Sequence, residues 1–249
     1  MLSKKCLFVL KRVIKKIIRI IFTPFIIPDY FRFIRLKDGA RFTLKIRDFY
    51  PQIFDKTIKT GFERHYVYHT AWAARKLAQI KPQTHVDISS SLYFCGIASA
   101  FVPIKFYDYR PVDLKFTNLS CEHADLMKLP FGDNSILSLS CMHTVEHVGL
   151  GRYGDPFDQE GDLKSISELK RVLAPGGSLL FVVPVGGKPM IEFNAHRIYT
   201  PDMVKNYFSD FTLKEFALIP EKTGEIIVNP EDRDWLNEKY ACGCFWFIK

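Results

Sequence analysis

The first 22 positions of this 249-residue chain contain no acidic residue, but they hold Lys4, Lys5, Lys11, Arg12, Lys15, Lys16 and Arg19. Seven of the eight net positive charges therefore sit in one short segment, and the remainder is close to neutral. Charge so confined gives no diffuse surface for nucleic acid, and no nucleic-acid partner is expected. A zinc-type CxxC pair is also missing among Cys6, Cys95, Cys121, Cys141, Cys242 and Cys244. Reduced, mostly buried thiols in a cytoplasmic compartment are expected, and no metal ligands are assigned. Cys242 and Cys244, two apart, should point to one face of a strand. In the N-terminal segment the uncharged run Ile20–Pro28 falls well short of the ~20 residues that a membrane span needs. No small-residue cleavage site follows it, which disfavours a secretory signal. There is no internal repeat and no low-complexity linker, so two independent domains are not expected.

What is present is organised around Cys121–Val185. The runs Ile136–Met142 and Ser178–Val185 are short, uncharged and bounded by turn residues, as central strands covered on both faces should be. Between them Leu163, Ile166, Leu169, Val172 and Leu173 recur at helical spacing, with Lys164, Glu168 and Arg171 opposite. A helix closed by Ala174-Pro175-Gly176-Gly177 between two strands makes a βαβ unit. Upstream, Leu7, Leu10, Ile14, Ile17, Ile18 and Ile21 form one stripe of a basic amphipathic helix over residues 1–28. Such a helix can lie on an anionic membrane surface through residues 4–22, or pack its isoleucines on its own domain or a partner. Pro24 and Pro28 should end it. Short strands or a collar are expected over Phe25–Ile46, and a helix over Phe62–Ile80. Thr200-Pro201-Asp202 looks like a helix N-terminus, and Glu231–Tyr240 like a further helix.

The segments HADLMKLPFGDNSILSLSCMHTVEHV and ELKRVLAPGGSLLFVVP resemble the second half of a class I S-adenosylmethionine-dependent methyltransferase. EHVGLGRYGDP, FNAHRIY and CGCFWF are similar to a bacterial methyltransferase-like family of undefined function associated with surface-polysaccharide genes. The resemblance covers roughly Thr84 to Lys249. It implies an α/β, doubly wound Rossmann-like fold with a mostly parallel seven-stranded sheet, an antiparallel last strand and an N-terminal helical extension. The expected segments are a basic helix over 1–28, a collar and helical lead-in over 29–83, and a methyltransferase-like domain over 84–249.

The same resemblance implies S-adenosylmethionine as cofactor and places residues around it. Asp87 holds the acidic position of the first strand, and Asp108, at the end of the second, is placed to hold ribose hydroxyls. Asp125 would accept from the adenine amino group, with Leu126 against the ring. Ser89-Ser90-Ser91 stands where a Gly-x-Gly is usual, so Ser89 and Ser91 would replace some glycine contacts. Two loops are candidates for the substrate. One carries His143, Glu146, Arg152, Tyr153 and Asp155; the other carries Asn194 and Arg197. His143 and His147, four apart, would share a face if helical. His147 or His196 is the candidate proton acceptor, and Tyr93 a candidate aromatic face for the sulfonium.

These features imply a cytoplasmic methyltransferase acting on a sugar or glycan intermediate, with a possible post on the inner membrane face. The serine turn leaves open a second reading, a non-catalytic methyltransferase-fold adaptor at the membrane. A nucleotide-sugar oxidoreductase is disfavoured because Tyr-x-x-x-Lys is absent. The Gly-x-Gly-x-x-Gly at Gly149–Gly154 follows the fourth strand rather than the first.

Overall fold

The computed structural model describes residues 24–36, 42–52, 55–222 and 224–249. The basic segment expected to lie on a membrane falls outside the described residues. The chain divides into two units, 1–61 and 62–249. In the first, residues 24–35 are helical (α1) and a 3-10 turn spans Ile46–Asp48. Helix α1 runs past Pro28, where a stop and then short strands or a collar were expected. Proline removes only its own donor, and the carbonyl that Pro28 leaves unpaired belongs to residue 24, at the edge of the described helix. Tyr30 packs edge-on against Phe49 with ring centres 5.2 Å apart. Among the described residues no helix is long and apolar enough to cross a membrane.

The second unit is built on one sheet. Its strands are β1 (His85–Ile88), β2 (Ile104–Asp108), β3 (Leu119–His123), β4 (Ile136–Met142), β5 (Leu173–Val185), β8 (Thr212–Ile219), β9 (Ile227–Val228) and β10 (Ala241–Ile248). They lie in the order β3-β2-β1-β4-β5-β10-β8-β9. The pairs among the first five are parallel, and β10 runs antiparallel between β5 and β8. The two-residue β9 adds an eighth strand to the seven expected. A separate hairpin pairs β6 (Met190–Glu192) with β7 (His196–Ile198). The strand β5 begins at Leu173, because the Ala-Pro-Gly-Gly segment is held in the sheet as an irregularity opposite Ile136 and Ser138.

Alternation along the central strands divides the core in two. Leu179, Phe181 and Val183 belong to a cluster with Ile166, Leu169, Val204 and Phe208, whereas Leu180 and Val182 join Trp72, Leu77, Phe94 and Ile104. Helices α2 (Arg64–Ile80) and α3 (Leu92–Ala98) thus supply one face, and α4 (Gly161–Val172) and α5 (Pro201–Tyr207) the other. This is the two-sided cover that near-continuous apolar strands require. The Thr200 hydroxyl accepts from Met203 N at 3.2 Å, capping α5, and Pro201 occupies its first turn. The helix expected over Glu231–Tyr240 is one turn, α6 (Asp232–Trp235). Helix α2 is tied to the sheet: Trp72 Nε1 and Lys76 Nζ bond the two oxygens of Glu215 on β8, at 2.8 and 2.6 Å.

Candidate active site

Strand order reverses at β1, whose neighbours β2 and β4 lead to opposite edges of the sheet. In an open parallel sheet this is where a crevice forms beyond the carboxyl ends of the strands. A cleft lies there. Ser89 and Ser90 line it after β1, Asp108, Tyr109 and Arg110 after β2, and Ala124 to Met127 after β3. Met142, His143, Thr144, His147, Tyr153 and Asp155 follow β4, and Tyr66 reaches in from α2.

The serine turn adopts the geometry that glycine usually provides. Ser89 has φ 56°, in the left-handed region, and its N–H and hydroxyl both donate to the Tyr107 carbonyl, at 2.7 and 3.2 Å. Ser90 N donates to Asp87 Oδ1 at 3.0 Å, and the Ser90 hydroxyl accepts from Met142 N at 3.0 Å. The turn is thereby bonded to both flanking strands. Ser91 begins α3 and is absent from the cleft wall. Asp87 is fully buried behind the turn, accepting from Ser140 Oγ and Ser90 N, and is not part of the cleft wall. Burial pushes its carboxyl up to about 6. Ser140 Oγ also contacts His85 Nε2 at 2.8 Å, and burial pulls that imidazole down to about 3.

Asp108 and Asp125 both face the cleft. One oxygen of each closes its own turn, Asp108 Oδ1 accepting from Arg110 N at 2.7 Å and Asp125 Oδ1 from Met127 N at 2.9 Å. Leu126 lines the same wall.

The histidines separate by environment. His143 follows β4 at φ 54°, and a 3-10 turn over Val145–His147 comes next, so His143 and His147 do not share an α-helical face. His143 Nδ1 pairs with Glu146 Oε1 at 2.9 Å. Glu146 is 1% exposed, lies behind the wall, and is pushed up to about 7 by burial. His147 Nδ1 lies 2.7 Å from the Ala195 carbonyl and 3.2 Å from Arg152 Nη1; with Nδ1 donating to the carbonyl, Nε2 carries the lone pair, 3.7 Å from Glu146 Oε1. Burial lowers the pKa of His147, against an opposing pull from Glu146. His196 is not in the cleft wall: its ring stacks on Tyr240 at 4.8 Å, and Nε2 lies 3.1 Å from Glu192 Oε2.

The loop after β4 is folded around Asp155, whose carboxylate accepts from Gly149 N, Gly151 N and Tyr153 N. Gly149 has φ 79°, and a Cβ there would stand 2.0 Å from the Asp158 carbonyl, so only glycine fits. Arg110 lies over the Tyr153 ring at 4.3 Å. Arg152 is outside the wall and donates to the Ala195 carbonyl at 2.8 Å. Asn194 is exposed in the β6–β7 turn, away from the wall. Arg197 is 5% exposed and donates to the carbonyls of Val148, Asp158 and Gln159, so its fork is committed to holding the loop. Tyr93 is 87% exposed and does not line the cleft; the tyrosines there are Tyr66, Tyr109 and Tyr153. Tyr66 lies on the helix expected over Phe62–Ile80; Arg110 was not among the expected residues, though it was legible two residues past an acid at a strand end.

The strand order and the cleft at the carboxyl edge define the class of fold, the Rossmann-like fold of class I methyltransferases. The chain is similar to a putative sarcosine dimethylglycine methyltransferase from Galdieria sulphuraria (16% identity, TM-score 0.52), covering 72% of this chain and 84% of that one. It is also similar to a chain of the Haloferax volcanii complex between the Trm112 methyltransferase activator and a putative methyltransferase (18%, 0.50), with coverage of 74% and 89%. A third likeness is to the 1,6-didemethyltoxoflavin-N1-methyltransferase of Burkholderia thailandensis (11%, 0.50), with coverage of 73% and 78%; that structure holds S-adenosylhomocysteine. Residues 130–223 match the family model described as "Caenorhabditis protein of unknown function, DUF268". No curated protein matches the chain.

Proposed function

We propose that the protein is an S-adenosylmethionine-dependent methyltransferase. The observation that carries the proposal is the convergence on one cleft of Asp108, Asp125 and the left-handed Ser89 turn, from three successive strand ends. This donor set suits the cofactor. With Oδ1 of Asp108 closing a turn, its Oδ2 remains to accept from ribose hydroxyls. Asp125 can likewise accept from an adenine amino group, with Leu126 against the ring. When bound, the cofactor supplies an electrophilic methyl group on a sulfonium centre. The chain's own part is positioning, exclusion of water and acceptance of a proton. His147 Nε2 is the proton acceptor on the wall, held in the required tautomer by Ala195. Tyr66 or Tyr153 presents an aromatic face to positive charge.

The acceptor belongs on this reading to sugar hydroxyls of cell-surface glycans, on the strength of the sequence resemblance. The basic residues 4–22 would bring the chain to an anionic membrane; deleting them should abolish sedimentation with anionic liposomes, and unchanged sedimentation would remove this part. Calorimetric titration with S-adenosylmethionine and S-adenosylhomocysteine tests the function itself. Saturable binding, weakened about tenfold or more by Asp108→Ala, is expected (~1.4 kcal/mol or more). A folded protein that binds neither compound overturns the proposal.

A further inference from the structure

One cluster of polar side chains beside the cleft is not used by the proposed reaction. His65 on α2, His143 after β4 and Cys242 on β10 each present a donor atom, and these atoms all lie within 4.8 Å of one another. They come from three elements far apart in sequence, so no local turn accounts for their meeting. His143 Nε2 is buried and has no hydrogen-bond partner. An orphaned imidazole nitrogen in such a place is destabilising unless something occupies it.

The supporting contacts have a consistent direction. His143 Nδ1 is held by Glu146 Oε1 at 2.9 Å, which leaves Nε2 as the lone-pair nitrogen facing the cluster. A carboxylate behind an imidazole is the usual arrangement for orienting a metal-binding histidine and raising its basicity. His69 is held in the same way, Nδ1 to the His65 carbonyl at 2.7 Å, and its Nε2 is again buried and unpartnered. Its ring centre is 4.9 Å from that of His143. Cys242 is fully buried, with its sulfur 3.9 Å from that of Cys244.

We propose that His65, His143 and Cys242 bind one divalent cation of the zinc type. Two imidazoles and a thiolate are the donors such a borderline-soft ion selects. Tetrahedral bonds of 2.0–2.3 Å place donors roughly 3.3–3.8 Å apart, so the observed cluster needs to contract by about 1 Å. Loading is written as one Zn²⁺ bound and the Cys242 thiol proton released to solvent. Three protein donors leave a fourth position for water or a ligand oxygen, and one of the three, His143, also lines the cleft. The site rests on these side chains alone and stands whether or not the methyltransferase reading does.

The test is metal loading of the full-length protein under reducing conditions, first with Zn²⁺ and a competing chelator, then with Co²⁺. One equivalent per chain is expected, and the cobalt form should show a thiolate-to-metal charge-transfer band. That band should vanish in Cys242→Ser and persist in Cys244→Ser. His143→Ala and His65→Ala should weaken zinc binding well beyond tenfold, and Glu146→Gln by roughly 10–100-fold through the loss of orientation. Circular dichroism confirms that each variant is folded, and the cobalt spectrum of the unmutated protein needs no variant. A folded protein without stoichiometric metal, or with cobalt bound but no thiolate band, overturns the proposal. Zinc affinity unchanged in both Cys242→Ser and His143→Ala does the same.

Discussion

At the scale of single residues, the serine turn shows how a left-handed turn can be held without glycine. Ser89 occupies the left-handed region at a cost of about 1–2 kcal/mol, partly offset by its bond to Tyr107. Ser89→Gly should therefore change stability by less than ~1 kcal/mol, because the relieved backbone is balanced by lost chain entropy and a lost hydrogen bond. Ser90→Ala should cost about 1–3 kcal/mol, since Met142 N is left without its acceptor inside the sheet. Urea midpoints of the two variants should separate in that order. The buried pair behind the turn sets a pH dependence. His85 is held neutral, its pKa depressed to about 3 by burial, so its contribution to stability is complete above ~6.5 and is lost as pH falls toward 3. Asp87, raised to about 6, acts in the opposite sense and disfavours the fold as pH rises from ~3.8 through 6. His85→Gln should remove the loss of stability below about pH 4 and expose a decline between pH 4 and 6, whereas Asp87→Asn should make stability rise with pH across that window. An unaltered acid limb in His85→Gln would refute the assignment.

At the scale of elements, the docking of α2 decides whether the cleft has its wall at Tyr66. The helix meets the sheet through Trp72, Ala73 and Leu77, and through one carboxylate, Glu215, that serves both an indole and an ammonium group. Glu215→Ala leaves Trp72 Nε1 and Lys76 without their partner, at an expected cost of about 1–3 kcal/mol. Hydrogen exchange should quicken in 64–80 while the β1–β4–β5 core stays protected; uniform loss of protection would show that α2 is not a separately released element. The sequence disclosed this helix by its period but not its attachment, because Glu215 lies 143 residues from Trp72. Strands β4 and β5 were legible for the opposite reason: from Ser138 and from Ser178 onward every residue is buried, so composition alone marks them. The β6–β7 hairpin was not. His196, Arg197 and Asn194 looked like a polar loop, and only the fold-back that puts Arg197 against the Val148, Asp158 and Gln159 carbonyls shows it to be a brace.

At the scale of the whole molecule, the acids that follow strands β2 and β3 were legible because strand ends are fixed by short uncharged runs. The convergence of His65, His143 and Cys242 was not, since nothing in sequence spacing brings residues so far apart together. Both hydrophobic clusters, and every residue lining the cleft, belong to 62–249. A unit with its own cores and site should fold by itself, because burial of those side chains supplies the main driving force. A fragment beginning at Phe62 is therefore expected to unfold in a single urea transition. It should bind S-adenosylhomocysteine within about threefold of the full chain, a difference of ~0.6 kcal/mol. An exposed apolar face detected by dye binding, or loss of the cooperative transition, would mean that residues 1–61 contribute to the core. Intact folding with lost binding would instead place part of the ligand's environment in that first unit.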